Sequence, residues 1–174
     1  MVLTHKHFDH VLGSSLFADA ETYCAPAIIE YLMSGTERLR NDALHHGADV
    51  DEIDRAIAAL RRPQHGIDNS VVDLGDRRVT IAYLGGGHTT SDLVVVVPGA
   101  DGGRLVVFTG DLIEESADPA IDADSDVAAW PDTLDRLLAI GGPDAIYVPG
   151  HGSVVDAGFV RNQRDWFRSR YPRR

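Results

Sequence analysis

Four potential metal ligands fall within six residues near the start of this chain, in the run Thr4-His5-Lys6-His7-Phe8-Asp9-His10. Val2 to Thr4 reads as the end of a strand that runs straight into this His-rich turn. On extended backbone, residues two apart point to the same side, so His5 and His7 face one point. A helix beginning at Asp9 and His10 fans the next two side chains towards a second point close by. One short segment can thus supply two adjacent metal positions. Taken singly, a histidine in a loop is more often hydrogen-bonded than metal-binding; the spacing of this cluster is what sets it apart.

The remaining candidates each follow a β element. His88 sits behind Gly85-Gly86-Gly87, where missing side chains permit a tight turn and close approach to an ion. Asp111 follows a buried strand that ends Phe108-Thr109-Gly110, and His151 lies between Gly150 and Gly152 after the last strand. Loops at the ends of a rigid sheet are where function is usually carried. Imidazole with carboxylate suits zinc, and also iron or manganese, and no thiolate takes part.

The strands themselves are read from pattern. Val71 to Leu74 and Arg78 to Leu84 form a hairpin about Gly75-Asp76. Leu93-Val94-Val95-Val96-Val97 is an unbroken apolar run, expected of a strand buried on both faces. Pro98 to Gly103 turns into a further buried strand, Arg104 to Thr109, and Ala145 to Val148 is another. Glu21 to Cys24 is a short strand candidate. Helices are expected after His10 with Val11, Leu12 and Leu16 on the apolar face, from Pro26 to about Met33, from Glu37 to His46 and from Asp51 to Arg62. The last has Ile53, Ile57 and Leu60 at helical spacing, with Pro63 ending it. Trp130, Leu134, Leu137 and Leu138 mark a helix, and Phe159, Val160, Trp166 and Phe167 a final one. Buried strands with interspersed helices indicate an α/β layered fold. The 174 residues suit one domain, with a helical insertion at about 34–65.

Composition narrows the partners. The formal charge is −11, and residues 111–126 carry seven acids with no Lys or Arg. An acidic surface repels phosphates, which disfavours nucleic acid. The one basic concentration, six arginines from Arg161 to Arg174, is expected on the solvated face of the C-terminal helix. No apolar stretch approaches the ~18 residues of a membrane span. No leader marks the chain for export, and the lone Cys24 cannot form an internal disulfide, so a cytoplasmic location is expected. Cys24 reads as a small buried residue, and His45, His46 and His65 as surface residues. Tyr23, Tyr31, Tyr83 and Tyr147 read as packing residues.

The segment Thr4 to His10 resembles the Thr-His-x-His-x-Asp-His motif of the metallo-β-lactamase superfamily. The later ligands of that family match in order: a histidine after glycines (His88), a Thr-Gly-Asp aspartate (Asp111) and a Gly-His-Gly histidine (His151). The resemblance implies an αββα layered sandwich, shortened at its N-terminus, and a site for two divalent cations, zinc first. In it His5, His7 and His88 hold one ion, Asp9, His10 and His151 the other, and Asp111 bridges them. Two cations would lower the pKa of a bound water towards neutrality, and the resulting hydroxide would attack a carbonyl carbon. The same resemblance makes Asp9 the catalytic residue that orients this nucleophile. The implied activity is hydrolysis of an ester, thioester, lactone or related small-molecule carbonyl compound.

Asp111 stands where the zinc β-lactamases commonly have cysteine, which favours a generic or glyoxalase II-like hydrolase over an antibiotic-destroying enzyme. Ser91 replaces a glycine of many relatives. Family members also carry several strands before the motif, where this chain has only Met1-Val2-Leu3. The expectation is a shortened reading frame or a homodimer that covers the gap. Two other readings stay open: an oxidoreductase similar to the persulfide dioxygenases, with one iron held by His5 or His7, His88 and Asp111, and an inactive fragment.

Overall fold

The computed structural model describes residues 1–172. It divides into two compact units at Asp68/Asn69. In the first, the chain begins with a single parallel bridge from Val2 to Tyr23. It then enters α1 (Phe8–Val11) and a 3₁₀ segment (Leu12–Phe17). Val11 and Leu12 are buried as expected, but Leu16 is 84% exposed. At three residues per turn, four positions on from Leu12 lies ~120° round the axis, away from the core.

Two-residue strands β1 (Tyr23–Cys24) and β2 (His65–Gly66) pair in parallel and bracket three helices. These are α2 (Pro26–Ser34), α3 (Thr36–His45) and α4 (Val50–Ala59). The first two bury pairs at helical spacing, Ile28 with Leu32 and Leu39 with Ala43, whereas α4 buries Ile53 alone. Asp49 caps α4 by accepting from the Asp51 and Glu52 amides, both at 3.0 Å. The helix stops at Ala59, short of the expected Arg62. Leu60 already turns to extended backbone (ψ 134), so the chain is straight before Pro63 is reached.

Cys24 is fully buried, and burial pushes its thiol up to about 11. A raised acid pKa leaves the neutral thiol dominant at every pH below that value. Reaction of the native chain with a water-soluble thiol reagent at pH 8 is therefore expected to be slower by on the order of a hundredfold than after unfolding in urea. Equal rates would contradict the burial.

The second unit is a five-stranded sheet in the order β3-β4-β5-β6-β7. Its strands are β3 (Asn69–Asp73), β4 (Arg78–Tyr83), β5 (Leu93–Val97), β6 (Val106–Glu114) and β7 (Ile146–His151). The β3–β6 neighbours are antiparallel, and β6 and β7 run parallel. The hairpin falls where the turn residues place it, with Gly75 at φ 92. In β5, Leu93, Val94 and Val96 are buried while Val95 and Val97 are only half-buried, so the expectation of burial on both faces holds for part of the strand.

Helices α5 (Trp130–Gly141) and α6 (Ala157–Arg170) share the core of this sheet. Trp130, Leu134 and Leu137 from α5 and Val160 and Phe167 from α6 are fully buried with Val94, Val107 and Tyr147. Arg164 and Arg168 pair with Asp135 at 2.8 and 2.5 Å, tying α6 to α5 on their exposed side. The solvated arginine face is thus partly an ion-pair seam; Arg173 and Arg174 lie outside the described residues. Among the described residues, no helix is long and apolar enough to cross a membrane.

Candidate metal centre

The candidate ligands fall into two groups, one in each unit. In the first, His7 is the extended N-cap residue of α1 (φ −68, ψ 152), and Asp9 and His10 occupy the helix itself. The helix begins at Phe8, one residue before the expected start. This bend gathers the imidazoles: the His5 ring lies 4.8 Å from that of His7, nearly perpendicular, and 4.1 Å from that of His10. His10 Nε2 stands 3.4 Å from Asp9 Oδ2. His5 is fully buried, whereas the Asp9 side chain is 35% exposed.

In the second group, Asp111 takes the central place. Its Oδ2 lies 3.6 Å from His88 Nε2 and 3.4 Å from His151 Nε2. These spacings are long for hydrogen bonds. They do match the roughly 3.4 Å that separates two ligand atoms each about 2.1 Å from a tetrahedral cation. The Asp9–His10 spacing has the same value, so this donor set fits divalent metal on both sides. His88 and Asp111 form a buried floor, and the half-exposed His151 forms a rim open to solvent.

Three supports fix His88. Its Nδ1 lies 3.1 Å from the Ala120 carbonyl, which can only accept, so Nδ1 carries the proton and Nε2 keeps its lone pair towards Asp111. The Ser125 hydroxyl donates to the His88 carbonyl at 2.7 Å, and the Asp126 amide donates to the Gly87 carbonyl at 2.9 Å. Inside the loop, the buried Asp92 carboxylate accepts from the Thr89 amide and hydroxyl, both at 2.8 Å. Ser91 donates its amide to Thr89 Oγ1 at 3.1 Å.

The glycines before His88 are needed for space. A Cβ on Gly87 would land on Leu112 Cδ2 and lie 3.2 Å from Trp130 Cδ1, both of them fully buried. Gly87→Ala is expected to cost about 1–3 kcal/mol by overpacking. Urea denaturation measures it, and a stability unchanged within a few tenths of a kcal/mol would contradict the packing.

Asp111 differs from its expected setting. It does not follow a strand but sits within β6, which continues to Glu114. Gly110 pairs with Pro149 and Glu114 with His151, so Asp111, Leu112 and Ile113 stand against Gly150 alone. This bulge, entered through Gly110 at φ 51, turns the Asp111 carboxylate out of the regular alternation. His151 is the last residue of β7.

Glu114 is not among the candidates that the sequence suggests. It is buried, and its carboxylate lies with Asp111 and His151 in one group whose ligand atoms fall within 4.8 Å of one another. Ser116 holds it, donating its amide at 2.9 Å and its hydroxyl at 2.6 Å to Oε1. The acids of 111–126 read as a charge pattern alone, although a buried carboxylate there has the same composition as an exposed one.

The other histidines stay outside these groups. His65 pairs with Glu21 at 2.6 Å and stacks on Tyr23. His46 has an acidic partner one turn back that its helix spacing alone does not single out: its Nδ1 is 3.4 Å from Asp42 Oδ1. The His46 ring also lies 5.5 Å from that of Phe8, within the amino-terminal motif. Tyr147 is core, and Tyr31 has the Lys6 and Arg38 cations at 5.3 and 5.4 Å from its ring.

Known proteins give the family to which this chain belongs. The chain is 39% identical over 106 residues to a metallo-beta-lactamase type 2 of Bacteroides fragilis, covering 59% of this chain and 41% of that protein. An uncharacterized protein of Mycobacterium tuberculosis is 27% identical over 171 residues, 92% of this chain and 72% of its own length. The chain thus spans about two fifths of the Bacteroides protein. A solved metallo-beta-lactamase from Pontibacter korlensis superposes with a TM-score of 0.68 at 19% identity, over 96% of this chain and 67% of that one, which shows the same fold. The family model of the metallo-beta-lactamase superfamily matches residues 1–151, and the chain belongs to that superfamily.

Proposed function

We propose that this chain is a metal-dependent hydrolase of small carbonyl compounds, an ester, thioester or lactone, with two divalent cations, zinc first. His5, His7 and His88 would hold one ion and Asp9, His10 and His151 the other, with Asp111 as a further ligand. The observation that carries this reading is the Asp111 carboxylate, whose Oδ2 stands at metal-ligand spacing from both His88 Nε2 and His151 Nε2. The Ala120 carbonyl, by fixing the His88 tautomer, keeps Nε2 available as a ligand. The order of the motifs along the chain supplies the pairing of the two groups.

When bound, such cations would act as Lewis acids and lower the pKa of a coordinated water towards neutrality. The chain's own contribution is orientation. Asp9, partly open to solvent, would orient the attacking oxygen through its carboxylate and direct it to the substrate carbonyl. The acids of 111–126 disfavour polyphosphate substrates, in keeping with a small uncharged or cationic one.

The test is to strip the chain with a chelator, reload it with zinc, and assay esters, thioesters, lactones and a β-lactam. Zinc-dependent turnover of one of the first three classes, exceeding that of the β-lactam, supports the reading. Preference for the β-lactam would overturn its substrate class, and oxygen uptake with a single iron would overturn hydrolysis altogether.

A further inference from the structure

The bulge that aims Asp111 leaves backbone groups of β6 without their ladder partners on β7. Such groups are costly to bury unless something else bonds them. One side chain takes two of them. Gln163, on α6 and 6% exposed, accepts from the Glu114 amide through Oε1 at 3.1 Å. Its Nε2 donates to the Leu112 carbonyl at 2.7 Å. That carbonyl also receives Trp130 Nε1 at 3.1 Å. A primary amide is the group suited to this task, since it offers one acceptor and one donor side by side. Gln163 therefore imitates a neighbouring strand across the stretch where β7 falls out of register.

We infer that Gln163 is a positioning residue for the metal centre: by clamping Leu112 and Glu114 it holds the bulge in the one shape that presents Asp111 to His88 and His151. The inference rests on the reading of Asp111 as a metal ligand. Gln163 lies twelve positions beyond the last candidate ligand, His151, and beyond the 1–151 span of the family profile. Its two hydrogen bonds reach Asp111 through the backbone of β6, one on the residue after it and one three residues on.

Cobalt(II) titration tests this without any assay of turnover, because the visible d–d spectrum reports both affinity and coordination geometry. Gln163→Leu, which keeps bulk but removes both hydrogen bonds, is expected to weaken cobalt binding by about 10–100-fold, the range typical of groups that orient ligands, and to change the spectrum. Val160→Ala serves as control. It lies on the same helix in the same core, and is expected to lower the melting temperature while leaving affinity within about twofold. Gln163→Glu, which retains the acceptor and loses the donor, repeats the test if the leucine variant does not fold. In the unmutated chain, zinc should shift the ¹⁵N side-chain resonance of Gln163, which needs no variant at all. Asp111→Ala separates the two claims. If Asp111→Ala abolishes cobalt binding while the Gln163 variant binds like the unmutated chain, or the Gln163 resonance does not move, the clamp is refuted and the ligand reading stands. If Asp111→Ala binds cobalt normally, the ligand reading itself fails.

Discussion

An Asp111→Ala chain is expected to lose turnover by on the order of a thousandfold or more while keeping its fold. The reason is the position of one oxygen. Oδ2 of Asp111 is flanked by His88 Nε2 and His151 Nε2 at 3.6 and 3.4 Å, so its removal takes away the one anionic ligand atom that stands between these two imidazoles. Stability should suffer little, since the lost group is a carboxylate and no apolar cavity opens. His88 stays anchored by Ala120, Ser125 and the Gly87 carbonyl contact. Bound zinc per chain, measured by mass spectrometry of the metal, should fall together with kcat/KM, and the circular dichroism melt should move by only a few degrees. Turnover within tenfold of the unmutated chain would show that Asp111 is not a working ligand.

Trp130→Ala is expected to have the largest effect on stability, about 3–5 kcal/mol, as a fully buried aromatic truncated to a methyl. Its ring stacks on Phe167 at 4.3 Å and 30°, meets the His88 ring edge-on at 5.9 Å, and donates to the Leu112 carbonyl. It therefore joins α5, α6, the His88 loop and the bulge of β6. Trp130→Phe should lose much less, about 1–2 kcal/mol, because the Leu112 carbonyl still accepts from Gln163. Urea denaturation distinguishes these cases. Equal losses for the two variants would mean that the stacking contributes nothing.

The ladder of β strands is legible in the sequence because it rests on local signals: the apolar run at Leu93–Val97 and the Gly75-Asp76 turn between alternating segments. The candidate ligand residues are legible for a different reason, as imidazole and carboxylate rarely crowd so closely except around a cation. What stays hidden depends on tertiary context. The apolar strand pattern ends at Thr109, while the structure carries β6 on to Glu114 through a bulge bonded from α6. Gln163, Ser125 and the Ala120 carbonyl support the centre from far along the chain, and nothing in their local sequence announces it. Leu16 leaves the core because apolar spacing assumes an α-helix, and the backbone there winds more tightly.

Anomalous diffraction at the zinc edge, from crystals of the zinc-loaded chain, is the direct test. Two peaks about 3.5–4 Å apart, bound by side chains of the Thr4–His10 motif together with His88, Asp111 and His151, are the predicted result. A single peak, or ions held by the amino-terminal histidines alone with His88 and His151 elsewhere, would contradict the account.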